Sequence, residues 1–256
     1  MKRTDRAYYE QAVLWEHVDP EDKARIEKIA QMVPQGAQTI LDLGCGAGLL
    51  VRELGGTKSV TGLDWSREAL KRIAGMAVEG MVHETPFRDR SFDLVVCSEV
   101  LEHLPVGDFE STIREMVRLS KRWLLVTVPY KEVLEAYFSR CAQCGCVFHN
   151  HHHVRNFDLT SLLSWFPGFS LVAWETFGKV EWIGKIEAKI WHGIGGHWVA
   201  SETGQCPQCG SREKVEPDRG IRDLFGLALA RGVRLFHPST KPRWLIVLME
   251  RRTRVS

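Results

Sequence analysis

Apolar residues along the chain fall into short runs separated by amphipathic stretches. An N-terminal region of helical periodicity, about Arg6 to Val33, ends at Pro34. The run "TILDLGCGAG" then reads as a strand entering a glycine-rich turn, and "SVTGLDWS" as a second strand ending in an acid. Ser66 is placed to cap the helix that follows. "SFDLVVCSEVLEHL" opens with another strong strand, the amphipathic "DFESTIREMVRLS" reads as a helix, and "RWLLVTVP" as a further strand. Such alternation predicts a parallel, doubly wound sheet with its ligand site at the carboxyl edge. Downstream, "NFDLTSLLSWF" predicts a helix capped near Asp158 and ended by Pro167. "FSLVAWETF" and "PRWLIVLMERR" complete the set as sixth and seventh strands.

About 65 residues separate those last two strands, roughly Gly178 to Lys241, too many for a tight loop. This stretch holds Trp182, Trp191 and Trp198, which offer stacking surfaces for sugars or bases but at near-helical spacing suit a core. It also holds the amphipathic segment 221–236, expected to pack on the sheet in preference to a membrane. The expected organisation is an N-terminal helical region at 1–34 and a core at 35–177 plus 241–256. An inserted lobe at 130–156 and 178–240 lies over the substrate opening.

Composition narrows the function. The 256 residues are 44% hydrophobic, enough for a core, and 34 basic against 32 acidic side chains disfavour a nucleic-acid or membrane partner. No apolar run approaches the roughly 18 residues of a membrane span, and the N-terminus lacks an apolar signal core. These features predict a soluble cytoplasmic protein and leave its oligomeric state open. In a reducing compartment, clustered cysteines point to metal or catalysis.

Gly44, Gly46 and Gly48 permit a tight turn and close approach of a ligand to the backbone at a helix N-terminus. A dinucleotide fingerprint would place its third glycine one position later, where Leu49 stands. Asp64, twenty residues after Gly44, suits a ribose diol. Asp42 just before the turn, like the glycine spacing, disfavours a nicotinamide cofactor.

"ILDLGCGAG", "GLDWS" and "PFRDRSFDLVVCSEVLEHLP", in this order and spacing, resemble the class I S-adenosylmethionine-dependent methyltransferases. The resemblance covers Ile40 to about Pro129 and implies a Rossmann-like, doubly wound seven-stranded sheet, here with a zinc-binding insertion. It implies that Gly44, Gly46 and Gly48 form the cofactor turn, with the first two lining the methionine moiety. Asp42 would orient the cofactor ammonium, Asp64 bind the ribose hydroxyls and Trp65 pack on adenine. Ser98 and Glu99 would face the sulfonium. Relatives often carry an acid several residues before "PF"; this chain has Met81 there, so His83 or Glu84 is expected to meet the adenine amino group.

"CAQCG" at Cys141–Gly145 and "CPQCG" at Cys206–Gly210 repeat one motif. Two thiolates per knuckle, with a glycine permitting a left-handed turn, predict a structural zinc on Cys141, Cys144, Cys206 and Cys209. Duplication and the trailing glycines favour zinc over a redox pair. Cys45 and Cys97 read as core residues, and Cys146 as a spare thiol.

Glu99, Glu102 and His103 share one face of a helical turn by spacing. The Glu102–His103 dipeptide occurs in many class I methyltransferases without metal. The fuller pattern, with "FHNHHHVRNF" following, resembles the metal-dependent small-RNA 3′-terminal 2′-O-methyltransferases. That likeness implies a second divalent metal on Glu99, Glu102 and His103, completed by His149, His152 or His153. Without metal, His103 or His153 is the candidate base, Phe148 or Phe157 walls the pocket, Arg155 holds substrate or meets Asp158, and His151 is exposed.

The expected function is transfer of the sulfonium methyl to a hydroxyl of a small sugar-like, polyol or glycan acceptor, with Glu99, Glu102, His103 and His153 around it. A metal-dependent RNA 2′-O-methyltransferase is the alternative, and a zinc-stabilised adaptor on the same scaffold the rival from another class.

Overall fold

A computed structural model describes residues 8–16, 18–181, 185–190, 192, 198–199, 204–215, 226, 228–229, 232 and 241–253. Trp182, Trp191 and most of segment 221–236 lie outside the described residues.

Seven strands form one sheet: β1 (Thr39–Leu43), β2 (Ser59–Asp64), β3 (Met76–Glu79), β4 (Phe92–Ser98), β5 (Ser120–Pro129), β8 (Phe169–Glu181) and β9 (Lys241–Arg251). Their spatial order is β3-β2-β1-β4-β5-β9-β8. β1 to β5 pair in parallel, and β9 runs antiparallel to both its neighbours. A separate hairpin pairs β6 (Phe138–Arg140) with β7 (Val147–His149). The central strands are buried on both faces, which is why Leu94–Cys97 reads as a continuous apolar run and Ile40–Leu43 is apolar apart from the buried Asp42.

Helices cover each face. Ile26 and Ile29 of α1 (Pro20–Met32), with Leu50, Val51 and Leu54 of α2 (Leu49–Leu54), pack against Val60, Leu125 and Ile246. After the short α3 (Arg67–Leu70), Phe109, Ile113 and Met116 of α4 (Val106–Leu119) and Leu162 of α5 (Leu159–Ser164) pack on the opposite face. A last described helix, α6, spans Lys185–Ile190.

The single N-terminal helix expected from about Arg6 to Val33 is broken. A one-turn helix at Val13–Glu16 precedes α1, which starts where Asp19 accepts from the Glu21 N–H (2.8 Å) and Pro20 takes the first position. Ser66 caps α3 through the Ala69 N–H (3.1 Å). Asp158 and Ser161 cap α5 reciprocally, at 2.8 and 2.9 Å. β8 continues past Phe177 to Glu181, so the core extends beyond the expected boundary at residue 177. The 130–156 segment is tied to the second knuckle by the Cys141–Lys214 bridge and by the Ala142 and Val215 N–H groups.

Candidate active site

A cavity of ≈ 490 Å³ opens beside the carboxyl ends of β1, β2 and β4, where the strand order reverses direction about β1. Its floor is the glycine turn. Gly44, Gly46 and Gly48 have φ of 81°, 50° and 74°, and the Gly44 and Cys45 N–H groups donate to the Leu63 carbonyl at 2.7 and 3.0 Å. Gly46 lies under the Trp15 indole, which a Cβ would meet at 2.9 Å. Gly48 heads α2 against Ile73, outside the cavity lining.

The two acids before and after this turn are buried. Asp64 receives the Gly46 N–H (2.8 Å) and the Ser66 N–H (2.9 Å), while burial raises its pKa. Burial, with the nearby Asp64 charge, pushes Asp42 up to about 7 against the downward pull of Arg25. Trp65, Met81 and His83 line the same cavity. Glu84 does not reach it: a tight turn joins Met81 to Glu84 (3.2 Å) and leaves Glu84 exposed.

At the end of β4, Ser98 accepts from the Arg25 guanidinium, which also meets Asp22 (3.1 Å) and stacks over Trp244. Glu99 has φ of 57°, so it does not share a helical face with Glu102 and His103, which lie in the 3₁₀ turn Leu101–His103. One Glu99 oxygen accepts from the Trp244 indole N–H at 2.7 Å; the other is buried without a hydrogen bond. Glu102 is fully buried, with neither carboxylate oxygen hydrogen-bonded and Oε1 3.9 Å from His103 Nε2. Burial, then the Glu99 charge, raises its pKa; burial depresses that of His103.

The histidine segment is joined to this site by the Val154 N–H, which donates to the Glu102 carbonyl (2.8 Å). His153 Nδ1 lies 2.6 Å from Glu132 Oε2, and its ring meets that of His103 edge-on at 4.6 Å. Glu102, His103 and His153 bring ligand atoms within 4.8 Å of one another. Glu99 and His152 stand outside that group, unlike in the expected metal set. His152 donates from Nε2 to the Gln205 carbonyl (2.8 Å) and stacks on Tyr8. His149 faces Glu132 instead, forming a second close group with Glu132 and His153. Phe148 lines the cavity, whereas Phe157 is buried in the core. Arg155 is turned away from the cavity, donating to the Leu101 carbonyl and stacking over Phe109 at 3.9 Å. His151 is exposed.

A second, polar chamber of ≈ 480 Å³ adjoins the first and shares Tyr9, Trp15, Arg25, Glu99, His103 and His153 with it. Glu132, Tyr137, Lys241 and Arg243 are among its further walls. Sequence reasoning did not identify Tyr9, Trp15, Arg25, Glu132 or Trp244, because none sits in a local motif.

The four knuckle sulfurs also lie within 4.8 Å of one another, with Cys141–Cys209 and Cys144–Cys206 each at 3.6 Å. Gly145 and Gly210 adopt left-handed φ of 72° and 76°. Burial alone would raise the Cys141 thiol, but the Cys144 and Gln143 N–H groups bring it down to about 7.

The sheet order and covering helices are those of the Rossmann-like class I methyltransferase fold, and residues 41–123 match the family described as "Methyltransferase domain". Among curated proteins, the chain is 32% identical over 109 residues to a ubiquinone biosynthesis O-methyltransferase of Albidiferax ferrireducens. It is 33% identical over 113 residues to a demethylmenaquinone methyltransferase of Listeria monocytogenes. These alignments cover 38% and 39% of this chain, and only 42% and 47% of those relatives. In structure, it is similar to a SAM-dependent methyltransferase from Archaeoglobus fulgidus (TM-score 0.55, 14% identity, 90% of this chain and 92% of that one). The [4+2]-cyclase SpnF is similar to the same degree (TM-score 0.55, 16% identity, 93% and 86%). A fold shared with a cyclase leaves the activity to be argued from the site. Among the described residues, no helix is long and apolar enough to cross a membrane.

Proposed function

We propose that this chain is an S-adenosylmethionine-dependent methyltransferase acting on a hydroxyl of a small acceptor. The observation that carries this reading is the pair of buried acids, Asp42 and Asp64, flanking a left-handed glycine turn in a cavity that adjoins a polar chamber. Side-chain-free backbone at Gly44 and Gly46 suits the methionine moiety, Asp64 the ribose diol and Asp42 the ammonium. Trp65 and His83 suit the adenine, and Ser98 and Glu99 border the reacting end. When bound, S-adenosylmethionine supplies an electrophilic methyl on a sulfonium that leaves as a neutral thioether. His153 and His103, which line both chambers, are the candidate bases for the acceptor hydroxyl, and the polar chamber suits a small hydroxylated molecule. The O-methyltransferase relative supports oxygen as the acceptor atom; neither relative's name supports the sugar, polyol or glycan expectation.

The four cysteines are proposed to hold a structural zinc. A tetrahedral site with Zn–S of about 2.3 Å needs sulfurs about 3.8 Å apart, close to the 3.6 Å separations found. A divalent cation on Glu102, His103 and His153 is a second reading. It is favoured by the two buried Glu102 oxygens that have no hydrogen bond, since an unpartnered buried acid is costly. Such an ion would lower the pKa of a bound hydroxyl.

The test is calorimetry with S-adenosylmethionine on the full chain and on Asp64→Ala, followed by mass-spectrometric detection of methyl transfer across hydroxylated acceptors. Binding by the wild type alone supports the reading; no wild-type binding at millimolar cofactor overturns it. Activity that survives exhaustive chelation removes the second metal and leaves the histidine base.

A further inference from the structure

The acid that controls the histidine segment lies outside every motif. Glu132 follows β5 by three residues and is buried at 6% exposure. Its backbone is clamped from both sides: Asn156 Nδ2 donates to the Glu132 carbonyl (3.0 Å) and the Lys131 N–H to the Phe157 carbonyl (2.7 Å). One carboxylate oxygen lies 2.6 Å from His153 Nδ1, and the other 3.7 Å from His149 Nε2. The two imidazoles stack with centroids 4.5 Å apart and planes 16° from parallel.

The backbone fixes the tautomer of the first ring. His149 Nδ1 accepts the N–H groups of His151 and His153, both at 3.2 Å. A neutral imidazole accepting at Nδ1 carries its proton on Nε2, here the nitrogen facing Glu132. His149 therefore has no lone pair left for a metal, and the close group Glu132–His149–His153 is not a ligand set. The second ring meets the same carboxylate through Nδ1, so Nδ1 must carry the proton and Nε2 the lone pair. A histidine whose distal N–H is held by a carboxylate presents a defined nitrogen to a substrate or cation.

We propose that Glu132 is a positioning residue. It locks His153 as the Nδ1–H tautomer and presents Nε2 to the acceptor. The role for Nε2 rests on the proposed methyl transfer; the tautomer does not. As base, Nε2 takes the acceptor's hydroxyl proton while the oxygen forms its bond to the methyl and the S–CH₃ pair stays on sulfur. The imidazolium formed is then stabilised by Glu132 until it releases the proton to solvent. In the cation reading, the same lone pair serves as a ligand.

The experiment is long-range ¹H–¹⁵N correlation on the full chain labelled at histidine, with His153→Asn to assign the signal. Wild type is expected to show His153 as Nδ1–H and His149 as Nε2–H. Glu132→Ala should lower the Nδ1–H to Nε2–H ratio of His153 about tenfold or more, Glu132→Asp should restore it, and His149 should not change. Far-UV circular dichroism and a urea-unfolding midpoint like those of wild type show that each variant is folded. An Nε2–H His153 in wild type overturns the proposal, as does an unchanged ratio in Glu132→Ala. If that variant fails to fold, Glu132→Leu replaces it and the wild-type spectrum still decides. Loss of cofactor binding with the tautomers as expected would sink the methyltransferase reading alone.

Discussion

Cofactor affinity should depend on pH through one buried acid. Burial and the neighbouring Asp64 charge push Asp42 from an ordinary value of 3.8 to about 7, with Arg25 opposing. If Asp42 pairs with the cofactor ammonium, binding requires the carboxylate. Its ionised fraction falls from about one half at pH 7 to about one hundredth at pH 5, so affinity should drop about fifty-fold, or about 2.3 kcal/mol. Burial holds His149 at about 2 and His103 well below its usual value, so neither of these two titrates in this window. Asp64, Glu99 and Glu102 are raised as well and act in the same direction. Asp42→Asn isolates the Asp42 share. Calorimetry at pH 5, 6 and 7 should give a steep wild-type slope that flattens in the variant. The free protein should show the linked effect on stability. A folded-state pKa above the unfolded 3.8 means that stability is fully present below pH 3.8 and lost as pH rises through 7. The loss is at most about 4 kcal/mol. Without cofactor, Asp42→Asn should thus melt above wild type at pH 8 and approach it at pH 4. A flat wild-type binding profile, or a slope undiminished in Asp42→Asn, refutes the pairing.

Other expectations follow from single contacts. Elemental analysis should find one zinc per chain in wild type and in Glu102→Ala, and none in Cys206→Ser; stoichiometric zinc in Cys206→Ser refutes the four-cysteine site. Gly46→Ala places a Cβ 2.9 Å from Trp15 at φ 50°, and left-handed backbone costs about 1–2 kcal/mol. It should lower stability by that amount and weaken cofactor binding at least tenfold; unchanged affinity would mean that the turn does not cradle the ligand. Asp158→Ala removes the α5 cap and should cost about 1 kcal/mol in urea unfolding with cofactor affinity unaltered.

The core was readable where burial and punctuation coincide. β1, β2 and β4 are apolar runs ending in glycine or an acid, and their chemistry sits at those ends. β3 escaped notice because Met76–Glu79 has no buried residue to mark it. The break before α1 was written in Asp19–Pro20 but was masked by helical periodicity on both sides. Spacing misled at Glu99, because an i, i+3, i+4 pattern implies a shared face only where the backbone is helical throughout, and φ of 57° removes Glu99 from it. Glu132 and His153 lie 21 positions apart. Only the β5 loop and the folded-back histidine segment bring them together, and no local pattern signals such a pair. Trp15 over Gly46 and Trp244 on Glu99 are long-range contacts of the same kind.

The stretch from Cys141 to Phe157 separates, in physical terms, into parts with different partners. Cys141 and Cys144 face the second knuckle, while Val154 is bonded to Glu102 and His153 to Glu132. His152 links the two parts: its ring bonds the carbonyl of Gln205, the residue before Cys206, and stacks on Tyr8 of the N-terminal segment. Gln11 of that segment also bonds Gln205, and Pro207 lines the cavity beside the glycine turn. An ion holding Cys206 would therefore fix a wall of the cavity as well as a distant loop. Pocket shape and knuckle order are then one structural quantity. The sheet supplies the glycine turn and the buried acids, and Pro207 and His152 supply part of the same cavity's wall.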